Sequence, residues 1–74
     1  MEKYKSNLKN IRKEAGVTIN KIVKDTGISK GTLCAMESET GSNPSLGTIK
    51  RLMAYLEISF DTLYPADNQK ENVF

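Results

Sequence analysis

The sequence predicts an all-α protein of five short helices. Apolar residues recur at three- and four-residue steps in four of the five predicted helices, and no stretch shows the two-residue alternation of a strand. Serine, threonine and glycine stand where these helices would begin and end. The 74 residues suffice for one domain, which we expect over residues 1–65, followed by a flexible polar tail over residues 66–74.

The first two helices are predicted from an apolar stripe and from two glycines. Gly16 supplies the left-handed residue expected after the end of the first helix. Thr18 is a favourable N-cap for the second helix, which must be short because Gly27 interrupts it. The apolar stripe of the first helix is Tyr4, Leu8, Ile11 and Ala15, and the inner residues of the second are Ile22 and Val23.

Three serines predict the starts of the remaining helices: Ser29, Ser45 and Ser59. The stretch 38–45 between the third and fourth helices is predicted to be a loop because it contains Gly41, Asn43 and Pro44. Pro65 ends the fifth helix. The expected apolar residues are Leu33 and Met36 in the third helix, Leu46, Ile49, Leu52, Met53 and Leu56 in the fourth, and Phe60 and Leu63 in the fifth.

The composition limits the classes of function. With one cysteine (Cys34) and no histidine, the sequence predicts neither an internal disulfide nor a metal site, cofactor or catalytic centre. The single cysteine favours a reducing, intracellular setting, and no apolar stretch reaches the length of a membrane span, so we expect a cytoplasmic protein. Up to Lys30 the chain carries eight basic and three acidic residues, whereas the remainder carries three basic and six acidic residues. This asymmetry predicts a polyanionic partner.

Residues 19–38 form a candidate helix-turn-helix, the unit that places its second helix in a DNA major groove. Gly27 makes the turn, Ile28 fills the angle between the helices, and Leu33 and Met36 anchor the second helix. Small side chains on the opposite face would let the helix backbone approach the bases, and a lysine there could donate to a guanine or a phosphate. That outward face consists of Lys30, Gly31, Cys34, Ala35 and Ser38.

Four residues in or next to this unit can be explained by a structural role as well as by contact with DNA. Ser29 and Thr32 are capping residues first, and a second role in holding phosphate cannot be separated from the cap. Thr18 opens a helix whose free N–H groups and positive dipole end suit a phosphate. For Cys34 we favour a small filler, with contact to a thymine methyl and oxidation sensing as the alternatives.

Motifs in a fixed order cover residues 8–64 of the chain. They are Leu8-x-x-Ile11-Arg12, Gly16-Val17-Thr18, Gly27-Ile28-Ser29-x-x-Thr32-Leu33, Met36-Glu37, Asn43-Pro44-Ser45 and Leu56-x-Ile58-Ser59-x-x-x-Leu63. This span resembles the Cro and phage-repressor helix-turn-helix family, the xenobiotic-response-element regulators. The resemblance implies a five-helix lambda-repressor-like fold that binds double-stranded DNA. The chain departs from the family's usual glutamine at Ile19 and from its frequent alanine at Val23.

The resemblance also implies roles for residues outside the recognition helix. It implies an ion pair between Arg12 and Glu37 that links the first and third helices, and a phosphate contact at Thr18. Relatives associate through the last helix. We therefore expect an apolar end formed by Phe60, Leu63 and Tyr64 to make a homodimer, with Val73 and Phe74 reaching across.

Together these observations predict a sequence-specific, double-stranded DNA-binding transcriptional regulator. We expect a repressor of bacterial or phage origin that acts as a homodimer. Two alternatives stay open at this point. One is an antitoxin or a restriction-modification controller, which would also bind a partner protein. The other is a degenerate helix-turn-helix that serves only protein–protein interaction.

Overall fold

Five helices form in the predicted order, which confirms the all-α fold class. The computed structural model describes residues 3–65, so the expected tail over 66–74, including Val73 and Phe74, lies outside the described residues. None of the residues from 3 to 65 belongs to a strand, although Tyr4 and Ser42 form an isolated antiparallel bridge. The helices are α1 (Leu8–Ala15), α2 (Ile19–Thr26), α3 (Lys30–Glu37), α4 (Leu46–Leu56) and α5 (Phe60–Leu63).

The N-caps of four helices are the residues that the sequence predicts. In each case the cap hydroxyl accepts the backbone N–H of the residue three positions later, which satisfies one of the free donors of a first helical turn. At the C-terminal ends, Gly16 (φ 71°) and Gly27 (φ 79°) adopt the left-handed conformation. The four capping residues are Thr18, Ser29, Ser45 and Ser59.

One apolar core holds the five helices together. α3 packs against both α1 and α2, and α4 packs against α2. Ile28, in the turn between α2 and α3, is also buried. Burial of a large aliphatic side chain stabilises a fold by about 1.5–3 kcal/mol, so each of these residues contributes substantially to the stability of the domain. The fully buried side chains are Leu8, Ile22, Leu33, Met36, Leu52 and Leu63.

The structure corrects three expectations about apolar residues. Tyr4 does not belong to the first helix, because its N–H and C=O both bond to the backbone of Ser42 and α1 begins only at Leu8. Ala15 lies at the exposed end of α1. Leu46 is 70% exposed, because it occupies the first position of α4, before that helix reaches the core.

A polar contact that the sequence did not predict joins α2 to α4. The hydroxyl of Tyr55 donates to the carboxylate of Asp25 at 2.5 Å, and the Lys21 Nζ lies 3.2 Å from the same oxygen. The hydrogen bond from Tyr55, and then the one from Lys21, lower the pKa of Asp25 below its ordinary value. The contact with Asp25 also raises the pKa of Tyr55. Lys21 therefore has an anionic partner within the protein.

Candidate nucleic-acid interface

The helix-turn-helix geometry is set by a short turn with a buried plug. Gly27 donates its N–H to the carbonyl of Val23 and turns the chain with a positive φ. Ile28 then points into the core, where Ile22 of α2 and Leu33 of α3 are fully buried. Val23, where the family often has alanine, packs partly buried against the same core. The two helices are thus fixed to each other by their inner faces, which leaves the outer face of α3 uncovered.

The outer face of α3 has the residues that the sequence predicts. Lys30, Gly31, Cys34 and Ala35 are all exposed. Gly31 is informative because its φ is not positive and, apart from its chain neighbours and the backbone of α3, no atom lies within 4 Å of the position that a Cβ would occupy. Glycine costs about 1 kcal/mol relative to alanine inside a helix, and nothing in the fold requires it here. The face is smooth enough for another molecule to approach the α3 backbone.

Ser29 and Thr32 are engaged in capping α3. The Ser29 hydroxyl accepts the Thr32 N–H at 3.2 Å and donates to the Thr32 hydroxyl at 2.8 Å. The predicted capping role is therefore present, and phosphate binding by these residues stays a prediction. At the other end of α3, the Ser38 hydroxyl donates to the carbonyl of Ala35 at 2.8 Å and accepts the Gly41 N–H at 3.1 Å. Ser38 thus closes the helix and is only partly exposed.

The start of α2 lies beside an exposed threonine. Thr18 uses its side-chain oxygen to accept the Lys21 N–H at 3.1 Å, which leaves other N–H groups of the first turn without a helical partner. The positive end of the helix dipole adds to the attraction of an anion at this point. Ile19 is partly buried against the core and presents no polar group where relatives commonly carry glutamine.

Arg12 and Glu37 form the ion pair that the resemblance implies. The guanidinium is bidentate: its Nε–H donates to Glu37 Oε2 at 2.7 Å and its Nη2–H to Oε1 at 3.2 Å. A third donor, Nη1–H, reaches the carbonyl of Val17 at 3.2 Å. The side chains are only 16% and 10% exposed, and the hydrogen bond with Glu37 raises the pKa of Arg12 above its ordinary value. The pair fixes the last turn of α3 to α1 and does not lie on the open face of α3.

The expected apolar end is only partly correct. Leu63 is fully buried and belongs to the core, and Tyr64 is 7% exposed, so it offers a partner little surface beyond its part in lining a groove beside α5. The carbonyl of Leu63 accepts the N–H of Asn7 at 2.8 Å, which holds the end of α5 against the segment before α1, and the sequence spacing could not reveal this contact. Phe60 remains 51% exposed and stacks on Tyr64 with ring centroids 5.4 Å apart.

A surface groove beside α5 was not predicted from the sequence. It encloses about 310 Å³. The hydroxyl of Tyr64 is buried with no hydrogen-bond partner among residues 3–65, and its burial raises the pKa of this group. The groove and exposed Phe60 form one apolar region at this end of the domain. Its lining consists of Tyr4, Asn43, Pro44, Ile49, Phe60 and Tyr64.

Within the described part of the chain, none of the helices has the length and apolar character needed to cross a membrane. Among residues 3–65, no three His, Cys, Asp or Glu side chains lie close enough together to hold a metal ion. Cys34 carries a free, exposed thiol.

Two short helices joined by a tight turn, with the second helix open along one face, define a helix-turn-helix DNA-binding domain. Comparison with known proteins identifies the family. The profile of the Cro/C1-type HTH DNA-binding domain matches residues 7–67, which is most of the chain. The chain belongs to this family, as the sequence motifs predict.

Relatives of the chain include regulators from Bacillus. The chain is similar to the HTH-type transcriptional regulator SinR of Bacillus subtilis, with 28% identity over 64 residues, which are 86% of this chain and 58% of SinR. It is similar to the regulator SlrR of the same species, with 34% identity over 56 residues, which are 76% of this chain and 37% of SlrR. The chain thus spans roughly half or less of the length of these relatives. No solved structure matches the chain.

Proposed function

We propose that this protein is a sequence-specific, double-stranded DNA-binding transcriptional regulator that acts as a homodimeric repressor in the bacterial cytoplasm. The observation that carries the proposal is the open face of α3. This face combines one long basic side chain, Lys30, with three small residues, Gly31, Cys34 and Ala35. No packing contact within the protein explains why residue 31 is a glycine. A helix with such a face can enter the major groove deeply, so that its backbone and Lys30 meet the bases.

The surrounding residues have supporting roles in this proposal. Thr18 and the first turn of α2 hold a phosphate at the groove edge, which sets the register of α3 on the duplex. Ser29 and Thr32 add phosphate contacts at the start of α3, and Ser38 borders the face at its other end. The names of the Bacillus relatives, which describe HTH-type transcriptional regulators, support regulation of transcription as the role of the whole protein.

Association is proposed through the apolar region beside α5. Phe60 is the residue of the expected dimer surface that is exposed, and the groove next to it offers an apolar surface to a second copy. A two-fold dimer would place its two α3 helices about 34 Å apart, one turn of DNA, on two half-sites.

The experiment that tests the proposal is selection of binding sites from random duplex DNA. We expect a two-fold symmetric sequence whose half-sites are centred about one helical turn apart. Gly31→Gln should alter or abolish the selected sequence, since its side chain would occupy the groove face of α3.

Gly47→Gln is the matched control. Gly47 also follows a serine cap by two residues, is exposed, and has only Ser45 Oγ near its Cβ position, at 3.9 Å. This variant should keep the wild-type sequence preference. Absence of any preferred sequence for the wild-type chain would refute the proposal and would favour a helix-turn-helix used for protein interaction.

A further inference from the structure

The segment before α1 connects three parts of the molecule. The backbone of Tyr4 exchanges two hydrogen bonds with that of Ser42, at 2.8 and 3.0 Å, in the loop between α3 and α4. The N–H of Asn7 donates to the carbonyl of Leu63 in α5 at 2.8 Å. Between these two anchors lies Ser6, a polar residue whose side chain is buried, with 8% exposure. The backbone on either side of Ser6 is therefore held in place by these hydrogen bonds.

Ser6 joins the start of α1 to the end of α3. Its hydroxyl donates to the carbonyl of Met36 at 2.7 Å and accepts the N–H of Leu8 at 3.3 Å. Met36 lies in the last turn of α3, where backbone carbonyls have no helical N–H to accept from. A buried carbonyl without a partner is costly, so the Ser6 hydroxyl favours the position of this helix end in which the bond is made.

α3 needs such an external anchor. It has only eight residues, and Gly31, Thr32 and Cys34 are weak helix formers. Its start is fixed by the Ser29 cap and the buried Ile28. Its end is held by the buried Met36, by the Ser38 hydroxyl and by polar contacts with α1 and the segment before it. The Arg12–Glu37 pair acts through side chains; the Ser6 bond acts on the α3 backbone itself.

We propose that Ser6 is a positioning residue for DNA recognition, which holds the C-terminal half of α3 at the depth where Cys34 and Ala35 meet the bases. The inference rests on the proposed reading of DNA by α3. Loss of the Ser6 bond lets the far end of the helix move while the Ser29 end stays fixed. Base pairs that face Cys34 and Ala35 then lose discrimination, and those that face Lys30 keep it.

This pattern differs from that of simple destabilisation. A smaller folded fraction multiplies every apparent Kd by the same factor and leaves the relative preference for each base unchanged. A tilted helix changes the preference at some positions and not at others. If Ser6 only stabilised the fold, its loss would leave the base preference at each operator position unchanged. A change of preference at some positions therefore distinguishes a positioning role from a purely structural one.

The test compares the sites selected from random duplex DNA by the wild-type chain and by variants at a temperature where all are folded. Lys30→Ala and Ala35→Gln assign the base pairs that face each end of α3. We expect Ser6→Ala to reduce the base preference at least about fivefold at the base pairs assigned to Ala35, which is the scale of one base contact. Ser6→Cys keeps the size of the side chain with a weaker donor and should show a smaller loss at the same positions.

Two controls complete the design. Ser6→Thr retains the hydroxyl and should restore the wild-type preferences. Ser59→Ala removes a cap hydroxyl from α5, and it should lower stability without changing any base preference. If Ser6→Ala keeps the wild-type base preferences, or loses them equally at all positions, the inference about Ser6 is overturned. The proposed function still stands in that case, provided that the wild-type chain selects an operator sequence. Failure of the wild-type chain to select any sequence would overturn both.

Discussion

Individual side chains on and near α3 differ in what they can contribute to binding. Lys30 is exposed at the first position of α3, where a base edge or a phosphate is within reach of a major-groove helix. Lys21 lies on α2 and already contacts Asp25 at 3.2 Å, so part of its charge is neutralised within the protein. Lys24 is exposed on α2 and is the better representative of general electrostatic attraction.

This difference predicts a contrast between two lysine variants. Lys30→Ala should reduce the ratio of operator affinity to random-DNA affinity, because a contact to a base edge is worth about 1–3 kcal/mol of discrimination. Lys24→Ala should weaken binding to both DNAs alike and reduce its salt dependence, because a phosphate contact carries no sequence information. Binding isotherms on operator and random DNA at several salt concentrations measure this affinity ratio and the salt dependence for each variant. Equal losses on both DNAs for Lys30→Ala would show that Lys30 contacts phosphate only.

Between elements, α1 acts as a support for α3. The bidentate Arg12–Glu37 contact and the Ser6–Met36 bond both join α1 or its preceding segment to the last turn of α3. The bond from Arg12 to the carbonyl of Val17 also extends this support to the link between α1 and α2. α3 is therefore held by these polar contacts with α1 and the segment before it, and by the burial of Leu33 and Met36 in the core.

The support by α1 predicts a stability effect for Arg12→Ala. Removal of one partner from a largely buried pair leaves an uncompensated charge at a typical cost of about 3 kcal/mol. For a domain of this size, that cost corresponds to a fall in Tm of more than about 10 °C. Thermal unfolding followed by circular dichroism measures it, with Lys13→Ala as the control, since Lys13 is an exposed basic residue in the same last turn of α1. Normal melting of Arg12→Ala with loss of operator preference would contradict this structural role.

At the scale of the whole molecule, two large apolar side chains remain exposed in the described chain: Leu46 at 70% and Phe60 at 51%. They differ in their surroundings. Phe60 borders the apolar groove and stacks on Tyr64, whereas Leu46 is not part of the groove lining. An apolar region that continues into a groove is a better candidate for association than an isolated exposed residue.

We therefore predict that Phe60→Glu weakens dimer formation at least tenfold, about 1.4 kcal/mol, because a charge would have to be buried in the interface. Sedimentation equilibrium with and without operator DNA measures the association. Leu46→Glu is the control, since it adds the same charge at an exposed apolar position outside the groove, and it should leave association unchanged. An operator bound by one protomer, or dimers that tolerate Phe60→Glu, would rule out this surface.

Most of the helix boundaries and the order of the elements follow from the sequence alone. Thr18, Ser29, Ser45 and Ser59 bond within three residues of their own position, and Gly16 and Gly27 act on their own backbone angles. Such signals are local, so no knowledge of the rest of the chain is needed to interpret them. The open face of α3 was predictable for the same reason, since burial of Leu33 and Met36 fixes which residues point outward.

Only the tertiary structure decided which apolar residues are covered and which polar residues hold α3. Leu46 has the spacing of a core residue and is exposed, whereas Leu63 and Tyr64 were expected at a surface and are buried. The Ser6 bond to Met36 and the Tyr55 bond to Asp25 each join residues 30 positions apart. No spacing along the chain signals such contacts, because they depend on how complete helices pack. The sequence therefore determined a helix-turn-helix and the exposed residues of α3, and the packing of α1 and α5 determined how α3 is supported and that Phe60 stays exposed beside a groove.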